Sequence, residues 1–445
     1  MEKNWEELSS DEKREALFNR WFSPPDVEFV SPEAEKSYKE RVTRLKDAIE
    51  LKKLPDRVPV FANVGFFPAA YSGMTPQDAM YDYDKLYTAW KKYVLDFEPD
   101  AHLGLGIPGS GRVLEILDYK LYSWPGHGVS PNYCYQYNEA EYMTADEYDA
   151  FLHDPSYFFN STYLPRIFGA LEPFKMLPNL TSILKIVFVT PTLIPFGFPE
   201  VQNAFKALLE AGSEALKWGG FVRGYDKEMT ELGFPNILGG FTNVPFDVIG
   251  DTLRGTRGIM ADMYRRPDKL LQALEVVTPL MIKLGVSIAK MHGNPIVFMP
   301  LHKGADGFMS DEQFRTFYWP TYRKLLMGLI DEGCVPLSFV EGGYNSRLEV
   351  IKDLPKGKAI WWFDKTDMGK AKEILGDVAC ISGNMPIDLL SVGTPQRIKD
   401  HAKKLIEIAG KGGGYIMMNG AVIDNAPPEN LKAMIDATKE YGAYE

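Results

Sequence analysis

Six polar side chains each follow directly on an apolar run of the chain, where they could carry acid/base or metal chemistry. His302 closes IVFMPLH and Glu341 closes VPLSFVE. The others are Asn63, Asp364, Asn384 and Asn419, which close VPVFAN, AIWWFD, ACISGN and YIMMN. A histidine and a glutamate held close together shift each other's pKa and can exchange protons with a substrate, or can act as two ligands of a zinc ion. His302 and Glu341 are therefore the predicted catalytic pair, with or without zinc.

Glu341 also admits a structural interpretation, in which it forms an ion pair with Arg347 or Lys303. Two glycines and then Tyr344 follow it, and paired glycines let the backbone approach a ligand closely, which favours a functional role. The predicted substrate-binding residues are Asn63, Tyr344, Asp364, Asn384 and Asn419.

The elements that would position these residues are short apolar runs separated by helix-length amphipathic stretches. The candidate strands are Val58–Asn63, Ala101–Gly106, Ile237–Val244, Ile296–His302, Val335–Glu341, Ala359–Asp364, Ala379–Asn384 and Tyr415–Gly420. This alternation predicts an α/β fold, a (β/α)8 TIM barrel, in which a polar residue that closes a strand points into the mouth where ligands bind. No GxGxxG motif follows the first strand to suggest a dinucleotide site.

Two regions lie outside this regular pattern. Residues 1–55 are charged and helical in character and are predicted to form an N-terminal helical extension, with the barrel over 56–445. Residues 107–235 are too long for one crossover and are rich in Tyr, Phe, Pro and Gly, so they form a predicted lid insertion. Its aromatic residues could line a substrate pocket, or could pack on themselves or on a second copy of the chain, so a homodimer is left open.

Composition excludes several classes of partner. The chain of 445 residues has 49 Lys and Arg against 60 Asp and Glu, and this net charge of -11 opposes binding to nucleic acid or to an anionic membrane. The opening sequence is charged and has no apolar run typical of a signal peptide, so we expect a cytoplasmic protein. The cysteines Cys134, Cys334 and Cys380 are far apart, which predicts reduced thiols. His401 lies among lysines and is predicted to be a solvated surface residue.

The C-terminal part of the chain resembles the uroporphyrinogen decarboxylase superfamily. A strand ending in Asp364, the GN-x-P turn at Asn384, a glycine-rich strand entry at 412–414 and the PPEN helix start at 427–430 occur in the family's order. The resemblance covers residues 236–443 well and 56–105 weakly. It implies a barrel enzyme with its active site at the C-terminal ends of the strands.

Two activities follow from this resemblance, decarboxylation of uroporphyrinogen in porphyrin biosynthesis and transfer of methyl groups. The decarboxylases have an arginine-containing M-R-Q-A-G-R segment after the first strand, because a substrate with eight carboxylates needs guanidinium partners. Here the corresponding stretch, 62–67, reads ANVGFF, and Gly420 stands where the decarboxylases have a histidine in the region of the last strand. Uroporphyrinogen decarboxylase is therefore the alternative, not the favoured, activity.

The zinc-dependent methyltransferases of the superfamily bind zinc through an H-x-C pair and a later cysteine. The matching positions here are Phe339, Glu341 and Gly420, so the resemblance does not extend to that thiol-activating site. What remains is the branch that removes a methyl group from a substrate, in which an acid activates the departing oxygen or nitrogen.

The sequence thus predicts a corrinoid-dependent methyltransferase of the O-demethylase type, working in anaerobic one-carbon metabolism. It would take the methyl group of a small methoxylated compound, and the aromatic insertion would suit an aromatic one. The chain has no D-x-H-x-x-G corrinoid-binding pattern, so the corrinoid (cobalamin) is expected on a partner protein. A barrel that binds a small molecule without catalysis is a further alternative, and it predicts binding that survives substitution of His302 and Glu341.

Overall fold

The computed structural model of the chain describes residues 4–106, 108–183 and 189–444. Its main sheet is parallel and has six strands in the order β4-β5-β6-β7-β8-β9. A small second sheet of the order β2-β1-β3 lies within the predicted insertion. The strands are β1 (Tyr122–Pro125), β2 (Gly128–Val129), β3 (Gln136–Tyr137), β4 (Gly240–Phe241), β5 (Ile296–Leu301), β6 (Val335–Val340), β7 (Ile360–Phe363), β8 (Cys380–Gly383) and β9 (Tyr415–Ile416).

The segment 58–64, predicted as the first barrel strand, continues this sheet beyond β9. Val60 forms a parallel bridge with Met417, whose amide donates to the Pro59 carbonyl over 2.9 Å. On the other side of the segment, the amide of Asp100 donates to the Val60 carbonyl over 2.8 Å. Pro59 has no N–H to donate, which limits the segment to isolated bridges in place of a regular ladder.

The predicted second strand joins that segment to β4. His102 bridges Asn236 in parallel, and the amide of Gly239 donates to the carbonyl of Ile296 on β5 over 2.8 Å. Gly104 interrupts regular pairing here because its φ is +72°. The predicted (β/α)8 fold is confirmed, with six strands in one regular parallel sheet and the first two predicted strands reduced to isolated bridges and single hydrogen bonds.

Helices surround the sheet and supply most of the remaining structure. The α-helices are α1 (Ser10–Phe22), α2 (Pro32–Glu50), α3 (Phe67–Tyr71), α4 (Pro76–Tyr81), α5 (Tyr83–Phe97), α6 (Gly111–Leu117), α7 (Tyr148–His153), α8 (Pro155–Phe158), α9 (Leu164–Ile167), α10 (Val189–Leu193), α11 (Pro199–Glu231), α12 (Pro245–Asp247), α13 (Gly255–Arg265), α14 (Pro267–His292), α15 (Asp311–Gln313), α16 (Trp319–Asp331), α17 (Leu348–Ile351), α18 (Met368–Leu375), α19 (Ile387–Val392), α20 (Pro395–Leu405) and α21 (Pro428–Tyr441). Short 3-10 turns occupy Trp5–Glu7, Gly169–Met176, Leu180–Ser182 and Ile194–Gly197, and π-helical turns occupy Phe159–Tyr163, Val248–Arg254, Phe314–Tyr318 and Ile406–Gly410.

The predicted N-terminal extension packs against the barrel interior. Phe18 and Trp21 of α1 and Tyr38 of α2 belong to the same buried cluster as the inward-facing residues of the strands, such as Leu337 and Trp362. Lys13 and Lys290 meet the carboxylate of Glu332 at 2.9 and 2.7 Å, tying α1 to the barrel helices. The extension therefore closes the floor of the barrel, opposite the ends where the predicted site lies, and the boundary at residue 55 stays a prediction.

The helix α14 is, within the described ranges, the single helix long and apolar enough to cross a membrane by length and composition alone. It packs on the barrel: a Cβ on its Gly285 would lie 3.0 Å from Val297 of β5 and 2.9 Å from Leu329 of α16. An amphipathic helix in the outer layer of a barrel has the same length and apolar composition as a membrane-spanning helix.

Candidate active site

The parallel register of the sheet brings the strand-closing residues side by side. Leu301 pairs with Val340, so His302 and Glu341, one residue further on, are neighbours at the mouth. Val340 pairs with Phe363, and Phe363 pairs with Gly383, which extends the row to Asp364 and Asn384. The row predicted from the apolar runs is thus present at the C-terminal ends of the strands.

His302 is held by a carboxylate that does not belong to this row. Its Nδ1 lies 2.6 Å from Oδ2 of Asp251, while Lys303 Nζ lies 2.7 Å from Oδ1 of the same carboxylate. Desolvation opposes a charge on the ring, but the hydrogen bond with Asp251 and the nearby negative charges outweigh it and raise the pKa of His302 to about 9. His302 is therefore an imidazolium at neutral pH, with Nδ1–H donated to Asp251 and Nε2–H left to face the mouth.

Asp247 fixes the backbone that carries this imidazolium. Its two carboxylate oxygens accept the main-chain amides of His302 and Lys303, both at 3.0 Å, and Oδ2 also accepts the hydroxyl of Tyr318 at 2.8 Å. Burial, with the charge of Asp251 beside it, raises the pKa of Asp247 to about 6. Desolvation acts in the same direction on Asp251, but its hydrogen bond with His302 prevails and lowers the pKa of Asp251.

Glu341 stands on the free side of the imidazolium. Its Oε1 lies 3.8 Å from Nε2 of His302, and 47% of its side chain is exposed at the mouth. Burial raises the pKa of Glu341, an effect that the charge of His302 opposes and the charges of Asp251 and Asp364 reinforce. A proton donor and a carboxylate thus face the same small volume, which is the geometry of general acid/base chemistry.

The structural interpretation of Glu341 pairs its carboxylate with Lys303 or Arg347, but each of these two cations has another partner. Lys303 pairs with Asp251, and Arg347 pairs with Asp311 and lies 3.8 Å from Asp306. Within residues 4–106, 108–183 and 189–444, Glu341 is paired with neither of them. This leaves its carboxylate facing His302.

Tyrosines of the insertion form one wall beside this pair. Tyr137 of β3 donates its hydroxyl to the main-chain carbonyl of Asp251 and packs its ring 5.4 Å from that of Tyr122 on β1. The charges of Asp251 and Glu341 act on Tyr122, whose pKa is raised mainly by burial. The aromatic residues of the insertion therefore pack on one another and also border the mouth. These are two of the arrangements that the sequence left open.

The remaining predicted substrate-binding residues have partners within the chain. Tyr344 is fully buried, and its amide donates to Thr366 Oγ1 over 3.0 Å. The Nδ2 of Asn384 donates to the carbonyls of Asp364 and Thr366 at 2.9 and 2.8 Å. Their contact with a substrate stays a prediction.

Asn419 and Asn63 join the last barrel segment to the first. The Oδ1 of Asn419 accepts the amide of Asn63 at 2.9 Å, and its Nδ2 donates to the carbonyl of Asn63 at 3.0 Å. Asn419 is fully buried and Asn63 is 5% exposed. The amide group of Asn419 thus bonds the backbone of the first barrel segment, and contact of Asn63 and Asn419 with a substrate stays a prediction.

Zinc does not fit the donors at the mouth. Nδ1 of His302 is engaged by Asp251, so His302 and Glu341 together would offer a metal only two ligands, fewer than the three or four that protein zinc sites use. Among the residues that the structure describes, no group of three or more His, Cys, Asp or Glu could hold a metal ion. Phe339 is buried against Trp362, and a Cβ at Gly420 would lie 3.0 Å from Oδ1 of Asp364. The zinc alternative for His302 and Glu341 is therefore not supported, and no step is assigned to it.

A cavity of about 880 Å³ opens beside Asp364 and Asn384. His401 and Lys404 of α20 line its opposite side. His401 is half-buried in this wall, in contrast to its prediction as a solvated surface residue, and burial together with the charge of Lys404 lowers its pKa. The mouth thus extends sideways over β7 and β8.

Sequence comparisons agree with the resemblance in the C-terminal half. The family model described as uroporphyrinogen decarboxylase matches residues 228–441. A uroporphyrinogen decarboxylase of Chlorobium luteolum is 35% identical over 251 residues, which cover 55% of this chain and 68% of that protein. The chain belongs to the uroporphyrinogen decarboxylase family.

Other relatives in this family match a smaller share of their own length. The uroporphyrinogen decarboxylase of Methylococcus capsulatus is 28% identical over 222 residues, 47% of this chain and 61% of that protein. The uroporphyrinogen decarboxylase of Chlorobaculum parvum is 25% identical over 188 residues, 41% of this chain and 52% of that protein. A methyltransferase from Methanosarcina mazei has the same fold, with a TM-score of 0.59 and 17% identity over 90% of this chain and 98% of that one. The family is one of barrel enzymes.

Asp247 and Asp251 are the functional candidates that sequence reasoning missed. They lie on α12 and on the π-helical turn after it, just beyond the predicted third strand. The available signal was two carboxylates four residues apart directly after a strand, a spacing that puts both on one face of a helical turn.

Proposed function

We propose that this member of the uroporphyrinogen decarboxylase family is a methyltransferase of the O-demethylase type, which removes a methyl group from a small methoxylated compound. The observation that carries the proposal is the His302 imidazolium, fixed by Asp251 and open towards Glu341 at the barrel mouth. An ether oxygen leaves readily only when it is protonated, and a positioned imidazolium supplies that proton.

The residues at the mouth would divide the work as follows. His302 would donate the proton of Nε2 to the departing oxygen as the bond between that oxygen and the methyl carbon breaks. Glu341 would stabilise the cationic acid beforehand, and Asp251 would keep its ring oriented. A reduced corrinoid carried by a partner protein would supply the nucleophile that accepts the methyl group. Tyr122 and Tyr137 would border the organic part of the substrate, which favours an aromatic one.

Decarboxylation of uroporphyrinogen is the second candidate, because the relatives matched in sequence are named for it. The state of two arginines near the mouth opposes it. Arg254 and Arg347 are buried and paired with Asp262 and Asp311. Neither guanidinium is therefore free to bind a carboxylate of a substrate that has eight of them. A cytoplasmic location in anaerobic one-carbon metabolism stays a prediction.

The test is anaerobic incubation of the purified protein with chemically reduced free cobalamin and a panel of methoxyaromatics and methylamines, with methylation of cobalamin followed by absorbance. We expect one methoxylated donor to be turned over, His302→Asn to abolish that turnover, and Glu341→Gln to slow it on the order of 10²-fold. Asp331→Asn, at an exposed carboxylate at the C-terminal end of α16 and away from the mouth, is the matched control and should retain it. Conversion of uroporphyrinogen without any methylation would instead establish the decarboxylase.

A further inference from the structure

The insertion contacts the barrel at the π-helical turn that carries Asp251. Residues 137–143 of the insertion, which we call the contact segment, lie along this turn. Tyr137 donates its hydroxyl to the main-chain carbonyl of Asp251, and the amide of Met143 donates to the carbonyl of Leu253 over 2.7 Å. Hydrogen bonds therefore join the turn to both ends of the contact segment.

The end of the turn is shaped to receive the contact segment. Arg254 is 2% exposed, and its guanidinium donates to the carbonyl of Met143 and, over 2.6 Å, to the carboxylate of Asp262. Gly255 has a φ of +66°, and a Cβ added to it would lie 3.1 Å from the carbonyl oxygen of Ala140. A side chain at this position would be strained and would crowd the contact segment. The segment is thus fixed against the turn.

Polar contacts lead from the contact segment to His302. Oε1 of Glu139 accepts the amide of Thr256 at 2.5 Å. The hydroxyl of Thr256 accepts the ammonium of Lys303 at 3.1 Å, and the same ammonium lies 2.7 Å from Oδ1 of Asp251. The second oxygen of that carboxylate lies 2.6 Å from Nδ1 of His302. An exposed carboxylate of the insertion is therefore connected to the imidazolium at the mouth.

Lys303 is held in one place within this series of contacts. Its side chain is 8% exposed, and a Cβ added to Gly250 would lie 2.6 Å from its Cδ and Cε. Its ammonium lies 5.4 Å from the centre of the Phe308 ring. A buried charge of this kind needs a charged partner, which Asp251 supplies. Because the ammonium fixes one oxygen of Asp251, the other oxygen stays directed at His302.

We propose that the contact segment is part of the machinery for the methyl transfer proposed above, with Lys303 and Glu139 as positioning residues that hold Asp251 against His302. This role rests on the proposed function, in which His302 is the acid, whereas the hydrogen bond between His302 and Asp251 belongs to the free protein as well. A displacement of about 1 Å in a positioned group costs on the order of 10²-fold in rate. The insertion thus does more than border the mouth.

Proton NMR of the substrate-free protein tests the positioning directly. A ring N–H held in a short charge-assisted hydrogen bond gives a far-downfield signal, and its absence from His302→Asn assigns it. Lys303→Met keeps the apolar stem and removes the ammonium, so this variant should lose the signal. Glu139→Ala should speed the exchange of this proton with water on the order of tenfold, as the loss of one hydrogen bond to a charged group implies. Glu139→Gln retains an acceptor oxygen and should keep the wild-type signal.

Turnover of the donor found in the panel gives a second measurement. Lys303→Met should lower kcat on the order of 10²-fold and leave KM unchanged, because the buried Lys303 acts through Asp251 and not on the substrate. The matched control is Glu172→Ala, at an exposed glutamate of the insertion outside the contact segment, and it should change neither kcat nor the NMR signal. Thermal unfolding of each variant checks that the fold is intact. If Lys303→Met does not fold, the pair Glu139→Ala and Glu139→Gln, at an exposed position, decides the question.

The NMR signal separates this proposal from the proposed function. A downfield signal that is missing from the wild type, or that survives unchanged in both Lys303→Met and Glu139→Ala, would overturn the positioning whatever the turnover. Loss of the signal from Glu172→Ala would overturn the specific role of the contact segment. If no donor is turned over and the signal responds as expected, the methyl transfer is wrong and the positioning of His302 stands.

Discussion

At the scale of single residues, the charge of His302 depends on Asp251. The raised pKa means that the imidazolium stabilises the fold fully below the ordinary histidine pKa of about 6.5, and that this contribution is lost as the pH rises through about 9. A proton donor with this pKa keeps its proton throughout the neutral range. Activity that needs the proton should therefore fall only on the alkaline side.

Asp251→Asn removes the carboxylate charge that holds the ring. We expect the pKa of His302 to drop towards its ordinary value, so that the alkaline limb of the pH–rate profile moves from near pH 9 to lower pH. An NMR titration of the His302 ring measures the same change without any substrate. Asp331→Asn, at the exposed C-terminal end of α16, should leave both curves in place. An unshifted limb in Asp251→Asn would contradict the assignment of His302 as the acid.

Glu341→Gln keeps the shape of the side chain and removes its charge. Because Glu341 faces Nε2 at 3.8 Å, we expect kcat of the methyl transfer to fall on the order of 10²-fold, as is typical when acid/base assistance is lost. Stopped-flow measurement with the donor found in the panel gives kcat and KM separately. A change in KM alone would indicate that Glu341 only binds the substrate.

At the scale of elements, the first helix closes the barrel floor. Phe18 is 1% exposed among inward-facing strand residues. Phe18→Ala should lower the free energy of unfolding by about 3–5 kcal/mol, the usual cost of truncating a buried phenylalanine. Urea denaturation measures this, and Asn19→Ala, at the next and exposed position of the same helix, should cost little. Equal effects of the two variants would mean that α1 is not an integral part of the core.

At the scale of the whole molecule, the ring of strands depends on Asn419, which joins its last segment to its first. Asn419→Ala leaves the buried amide of Asn63 without its acceptor, which costs about 1–3 kcal/mol of unfolding free energy. Thermal and urea unfolding should detect this loss, whereas Asn132→Ala, in an exposed loop, should unfold like the wild type. Unchanged stability with lost substrate binding would instead favour the predicted role of Asn419 as a substrate-binding residue.

The sequence by itself determined the strands of the barrel, the polar residues that close them and the capped helices between them. Apolar runs of strand length and their closing residues are local features, and Thr394 before Pro395 caps α20 as such a pattern predicts. The row of His302, Glu341, Asp364 and Asn384 could be predicted from these features, because the carboxyl ends of parallel strands lie at the same edge of the sheet.

Only the tertiary structure decided which partners those residues have. Asp251 reaches His302 across more than fifty residues of chain, and Asn63 meets Asn419 only because the ring closes. The same folding placed the N-terminal helices in the barrel floor and left the leucines of α11 exposed. Contacts between distant segments depend on the packing of whole elements, and no local pattern of residue types encodes them.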